Sequence, residues 1–211
     1  MGLRTVAIPT DDAPPEPSVE ALLDEANRRI DTLMVPRPDR SVRGFVPSDF
    51  DVVYRALRGI ERDHLAPGTA FLEWGSGLGV VTCLAAMLGW AAYGIEIQNV
   101  LVEQARSLAA DFDLPATFVH GTFIPVGDDD VGDTVTDSAW LKLGGRDAYE
   151  VMRRDIDDFD VIFAYPWPGE RNAVKTLFDR HAAAGALLLT FHGLEGLMLR
   201  RKNAGKGRFS P

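Results

Sequence analysis

The chain has 211 residues, 46% of them apolar and 25% charged, and its 31 acidic against 22 basic side chains give a formal net charge of −9. These values fit one globular domain with a small appendage and exclude collagen-like, coiled-coil and wholly disordered chains. The negative balance disfavours phosphate-backbone partners, the longest apolar run (182–191, broken by Gly185 and Thr190) is too short to span a bilayer, and the single Cys83 excludes an intramolecular disulfide and a cysteine-cluster metal site.

In chain order, residues 1–17 carry Pro9, Pro14, Pro15 and Pro17 among acids and predict a loose arm. The start has no cationic run followed by an apolar core, so no signal peptide and a cytoplasmic location are expected. Residues 19–34 place Val19, Leu22, Leu23, Ala26, Ile30 and Leu33 at helical spacing, with Ser18 as cap and Pro36 and Pro38 as the stop. A second helix is expected over 48–65. Ser48 and Asp51 resemble a capping box, and Val52, Val53, Ala56, Leu57 and Ile60 form the apolar face. Pro67-Gly68 is a turn. It separates an N-terminal arm and helical extension (1–66) from the main domain (67–211).

From residue 70 the pattern changes to strand, glycine turn, helix, strand. Strands are predicted over 70–74, 91–97, 116–120, 159–164 and 186–191, with helices over 80–88, 100–112, 147–156 and 172–183. Residues 194–201 predict one more strand. Residues 122–145, dense in Pro, Gly and Asp, predict an insertion covering a site. Strands alternating with helices imply an α/β, doubly wound, mostly parallel sheet covered on both faces. Acids concentrate over 128–160, where Lys142, Arg146, Arg153 and Arg154 oppose them; Arg200, Arg201, Lys202, Lys206 and Arg208 make the end of the chain basic. Both runs are expected to be solvated surface.

The segment Glu73-Trp74-Gly75-Ser76-Gly77-Leu78-Gly79 carries the most functional information. Glycines between strand and helix let backbone approach a ligand, because they lack Cβ and tolerate positive φ. Glu96 stands at the end of the next strand, 19 residues after Gly77, close to the roughly 20 of nucleoside binders, where an acid accepts hydrogen bonds from ribose hydroxyls. A dinucleotide site wants its third glycine at position 80, which is Val80. Glu73 also opposes a pyrophosphate, and it suits an ammonium. A nicotinamide-dependent oxidoreductase is therefore the less favoured alternative.

The pattern Glu-x-Gly-x-Gly-x-Gly resembles motif I of the class I S-adenosylmethionine-dependent methyltransferases, and the resemblance spans about 71–191. It implies a Rossmann-like fold and S-adenosylmethionine as cofactor. Glu73, Gly75, Ser76, Gly77 and Gly79 would surround the methionine end, Glu96 and Ile97 the ribose, and Thr122 and Phe123 the adenine. At the last place this chain lacks the family's common aspartate. The layout of Phe45-Val46-Pro47-Ser48, a helix and Val80-Val81 after the turn is similar, more distantly, to small Dot1-like and ATP-synthase-lysine-type protein-lysine methyltransferases. The class I sheet ends in a hairpin of two strands, and the 20 residues after Phe191 imply an abbreviated end.

Tyr165-Pro166-Trp167-Pro168 falls after the fourth strand, beside the transferred methyl in the resemblance, and is not the Asn/Asp-Pro-Pro-Tyr of amino-directed DNA methyltransferases. Its rings can hold a methyl donor or a cationic amine. His192, after the fifth strand, is a candidate base by its near-neutral pKa, and Glu170 can take a proton or bind an ammonium. The expected reaction is in-line methyl transfer to an amine, either a protein lysine or a small molecule. Tyr165, Trp167, Glu170 and His192 are the catalytic candidates, and no metal is expected because the histidines lack ligand spacing. Nucleic acid and membrane partners are disfavoured, although the basic tail keeps the former open, and a monomer or homodimer is expected. The other alternative is a non-catalytic cofactor-binding or interaction module.

Overall fold

The computed structural model describes residues 2–35, 42, 44–128, 130–131 and 145–204. Pro36 and Pro38, residues 132–144 of the predicted insertion, and Lys206 and Arg208 lie outside the described residues.

One seven-stranded sheet organises the chain: β1 (Leu3–Val6), β2 (Ala70–Trp74), β3 (Ala91–Glu96), β4 (Ala116–His120), β5 (Val161–Ala164), β6 (Leu187–Phe191) and β7 (Leu197–Lys202). Their order is β1-β7-β6-β5-β2-β3-β4. Neighbours from β6 to β4 are parallel, and β7 runs antiparallel between β6 and β1. The central strands β2, β5 and β6 are apolar along almost their whole length because both sheet faces are covered. Phe71, Val161, Phe163, Leu187 and Leu189 face one core layer; Leu72, Trp74, Ile162, Ala164 and Leu188 face the other.

The first face carries α1 (Pro17–Met34), α2 (Phe50–Arg62), α3 (Val80–Met87) and α4 (Asn99–Asp111). The second carries α5 (Ala148–Met152) and α6 (Arg171–His181). Helix α3 is buried from Val80 to Ala86, as a helix that is apolar all round must be. It lies between the sheet and the helical extension, which makes the extension a second cover over the glycine turn.

Several local expectations are corrected. Helix α1 starts at Pro17, with Glu16 and not Ser18 at the cap position. Proline suits the first helical position because its missing N–H would be unpaired there, and the Glu16 carboxylate instead accepts the Tyr54 hydroxyl at 2.7 Å. Helix α2 begins after Asp49, whose carboxylate accepts the Val52 amide at 3.2 Å. The expected Ser48–Asp51 box does not form, since Asp51 pairs with Arg55 at 2.8 Å. The helix predicted over 147–156 stops at Met152, where Arg153 turns left-handed, and a short 3₁₀ turn follows at Ile156–Asp158.

The arm is not loose throughout. Leu3–Val6 pairs with β7 from Leu3↔Lys202 to Val6↔Leu199. Arg58 then anchors residues 11–14 through the Asp11 carboxylate and the Ala13 and Pro14 carbonyls. One strand follows β6, in line with a shortened end, and the seventh place in the sheet is filled from the other end of the chain.

Candidate functional site

The chain passes from β2 through β3 to β4 on one side, then returns to β5 on the other side of β2. That reversal opens a crevice at the carboxyl ends of β2 and β5, the place where open α/β sheets bind ligands. A cavity of about 710 Å³ lies there.

Its floor is the glycine turn. The Gly75 and Ser76 amides both donate to the Ile95 carbonyl at 2.9 Å, and the Gly79 amide donates to the Ser76 carbonyl at 2.7 Å. Gly75 has φ +72°, and a Cβ built on it would meet no atom within 4 Å, so the turn leaves open space above it. Ser76 Oγ is buried there with no hydrogen-bond partner among the described residues. Gly79 is not among the residues that line the cavity. Its φ is also +72°, and a Cβ there would come within 2.3 Å of the Phe118 ring and 2.8 Å of Ala105. Gly79 therefore serves close packing of α3 on the sheet.

Two buried carboxylates line the cavity. Glu96 is 7% exposed. It accepts the Gly77 amide at 3.0 Å on one oxygen and the Gln98 amide at 2.8 Å on the other. Burial raises its pKa, opposed by those backbone donors. Glu73, 5% exposed, accepts both the amide (2.9 Å) and the hydroxyl (2.6 Å) of Thr82 on a single oxygen. Burial pushes its pKa up to about 8, against the Thr82 donors, and the nearby Glu96 charge adds to the rise.

Ile97, Thr122 and Phe123 line the next wall. Phe123 stacks on Trp74, 5.3 Å between centroids and 11° between planes. Thr122 has its backbone engaged on both sides: its amide donates to Arg146 and its carbonyl accepts from Ala148. Its hydroxyl oxygen accepts the Ile124 amide. The Thr122 amide is thus already engaged within the protein.

At the β5 and β6 ends stand Tyr165, Trp167, Glu170 and His192, all lining the same cavity. Tyr165 meets Phe191 edge to face at 4.9 Å. A Glu170 oxygen accepts the Trp167 amide at 3.2 Å, which fixes the aromatic loop to the start of α6. His192 Nε2 lies 2.8 Å from Thr190 Oγ1, and its pKa is lowered by burial and by the Arg171 charge. Both effects favour the neutral imidazole.

Three contributors carry little local signal. Gly44–Ser48 and Phe50 of the extension line the cavity, with the Phe45 ring so close to Gly77 that a Cβ there would lie 2.6 Å from it. Trp74 occupies the floor. Arg171 lines the cavity beside Glu170 and is held by Glu195 through two bonds of 2.8 and 2.9 Å. Among the described residues no group of His, Cys, Asp and Glu is arranged to hold a metal ion, and no helix is long and apolar enough to cross a membrane.

No protein-family model matches the sequence, and no curated protein does. Solved structures do match. An RNA methyltransferase from Salinibacter ruber, in complex with S-adenosyl-L-homocysteine, superposes with a TM-score of 0.51 at 18% identity, over 79% of this chain and 100% of that one. This chain has the methyltransferase fold. An O-methyltransferase from Bacillus cereus, also in complex with S-adenosylhomocysteine, gives 0.51 at 15% identity, over 85% of this chain and 67% of that one. At these identities the likeness is one of fold, and the chemistry has to be argued from the cavity.

Proposed function

We propose that the cavity binds S-adenosylmethionine and that the protein transfers its methyl group to an acceptor held between Tyr165, Trp167 and His192. One observation carries this reading. At the switch point, the Glu96 carboxylate accepts the Gly77 amide of the glycine turn and the Gln98 amide just after β3 while facing a cavity large enough for a nucleoside ligand. Each of its oxygens keeps a lone pair that can accept a ribose hydroxyl. The empty space above Gly75 and the unpartnered Ser76 hydroxyl fit a polar chain lying along the turn.

S-adenosylmethionine supplies the activated methyl group and the sulfur leaving group. The protein has to position the acceptor in line and handle its proton. We favour an amine acceptor. Tyr165 and Trp167 offer π faces, and Glu170 adds a carboxylate nearby, a combination that attracts a cation. Arg171 is tied to Glu195, so its charge is balanced at the mouth. His192, whose burial favours the neutral ring, is the candidate to receive the proton that the nitrogen must lose.

The test is calorimetric titration with S-adenosylhomocysteine, with NAD in parallel. Micromolar binding of the former alone is expected; binding of NAD alone would move the chain to the oxidoreductase reading, and binding of neither would leave the interaction module. Trp167→Ala is expected to lower kcat about tenfold while S-adenosylhomocysteine affinity stays within about twofold, the pattern of a group that acts on the acceptor. Normal turnover in that variant would return Trp167 to a packing role.

A further inference from the structure

Among the described residues β4 is the last strand of the sheet, with β3 on one side only. Along a strand, backbone groups turn alternately toward one neighbour and the other. The Gly121 amide donates to the Glu96 carbonyl at the end of β3. By that alternation Val119 and Thr117 also face β3, and Phe118 and His120 turn their backbone outward. Beside this outer edge lies a cleft of about 510 Å³, walled by α4 on one face and α5 on the other. It shares no lining residue with the larger cavity described above.

The chain has 31 acidic side chains and a net charge of −9, yet no aspartate or glutamate lines this cleft. Its polar wall is Arg106 and Asn99 from α4, Thr117 and His120 from β4, and Arg146. Each of these can donate a hydrogen bond, and the two arginines carry their charge at any working pH. Arg106 is fixed in place, since its Nη2 donates to the outward Phe118 carbonyl at 2.9 Å. His120 Nε2 lies 3.0 Å from the Ile97 carbonyl, which can only accept, so this bond holds the exposed ring by its Nε2–H. Arg146 is exposed and has no side-chain partner among the described residues. The acids nearby are spoken for or stand outside. Glu103 pairs with Arg106 from the solvent side at 2.9 Å, and the Asp147 carboxylate caps α5 through the Tyr149 and Glu150 amides.

From this arrangement we infer that the cleft is a separate anion site whose ligand carries a phosphoryl group. Its donors come from three directions: α4, β4 and the segment that leads into α5. A tetrahedral oxyanion can accept from all three, whereas a carboxylate offers its oxygens in one plane. A phosphomonoester carries a charge of about −1.5 to −2 at pH 7, which two guanidinium groups match. Val151 and Met152 of α5 add an apolar wall for the organic part of an ester. Free phosphate and a phosphomonoester share the chemistry of this site. The inference does not depend on what the larger cavity binds.

The test is NMR titration with inorganic phosphate and, in parallel, phenyl phosphate, read on the His120 ring. Saturable shifts with millimolar affinity are expected. Tighter binding of phenyl phosphate would identify an ester as the ligand, and equal affinities would identify free phosphate. Arg146→Gln removes an exposed charge that pairs with nothing in the fold, and it should weaken phosphate about fivefold, the scale of one exposed ion pair. Lys175→Gln removes an exposed charge of α6 that does not line the cleft, and it should change nothing. Saturating S-adenosylhomocysteine should also leave phosphate affinity unchanged. Shifts that never saturate, or an equal loss in the two variants, would reduce the site to general charge attraction and overturn the inference. Displacement of phosphate by S-adenosylhomocysteine would overturn it as well, by moving the phosphate to the larger cavity. A protein that binds phosphate as expected and no S-adenosylhomocysteine would keep this site and lose the methyl-transfer reading alone.

Discussion

Glu96→Ala is expected to weaken S-adenosylhomocysteine binding at least about 100-fold, about 2.7 kcal/mol, while the protein still melts cooperatively. The wild-type carboxylate accepts the Gly77 amide on one oxygen and the Gln98 amide on the other. It therefore ties the glycine turn after β2 to the end of β3. Truncation removes both bonds, and each hydrogen bond to a charged group contributes roughly 1.5–3 kcal/mol. Part of that loss appears as lower stability and part as a turn no longer set for the ligand. The proposed ribose contacts disappear as well, which carries the affinity loss past tenfold. Glu96→Gln separates the two contributions. Its amide oxygen can serve one backbone donor, while its NH₂ opposes the other, so binding should fall between wild type and Glu96→Ala. Titration calorimetry with circular-dichroism melting reads both quantities. Wild-type affinity in Glu96→Ala would remove the nucleoside assignment of this cavity.

The sheet was legible because its central strands are buried on both faces. Runs such as Phe71–Trp74 and Leu187–Phe191 then read as apolar without alternation. The turn was legible for a local reason: a backbone at φ +72° favours glycine at Gly75, and Glu96 follows at the interval a strand–helix–strand unit imposes. What escaped depends on partners distant in sequence. Leu3–Val6 contains a charge and sits before a proline-rich arm; it becomes a strand because β7, almost 200 residues later, presents an open edge to it. Gly79 fits the ligand-binding pattern as well as Gly75 does, and only the Phe118 and Ala105 side chains, from β4 and α4, show that it serves packing. Phe45 and Arg171 acquire their places from a cavity that no local window contains.

Glu73→Gln is expected to reverse a pH-dependent weakness of the native fold. Glu73 is buried, and that burial holds its folded pKa at about 8, against about 4.3 in an unfolded chain. Between those values the native state keeps a proton that the unfolded state has lost. Stability from this group is therefore fully present below about pH 4.3 and falls as pH rises, until the folded carboxyl has also ionised near pH 8. Each pH unit inside the window changes stability by about 1.4 kcal/mol, so the full effect reaches a few kcal/mol. Glutamine has no proton to lose, and its amide oxygen can accept the Thr82 amide and hydroxyl as Glu73 does. The variant's advantage over wild type should thus grow steadily from pH 5 to pH 8 in urea unfolding; parallel stability curves across that range would show that Glu73 ionises normally. The same proton links to the ligand. A cation in the cavity favours the charged carboxylate, so binding the sulfonium cofactor should release a proton and tighten as pH rises toward about 8. S-adenosylhomocysteine, which lacks the sulfonium charge, should show a weaker slope, and Glu73→Gln should flatten both. Calorimetry in buffers of different ionisation enthalpy counts the released proton directly, and its absence in the variant would place that proton on Glu73.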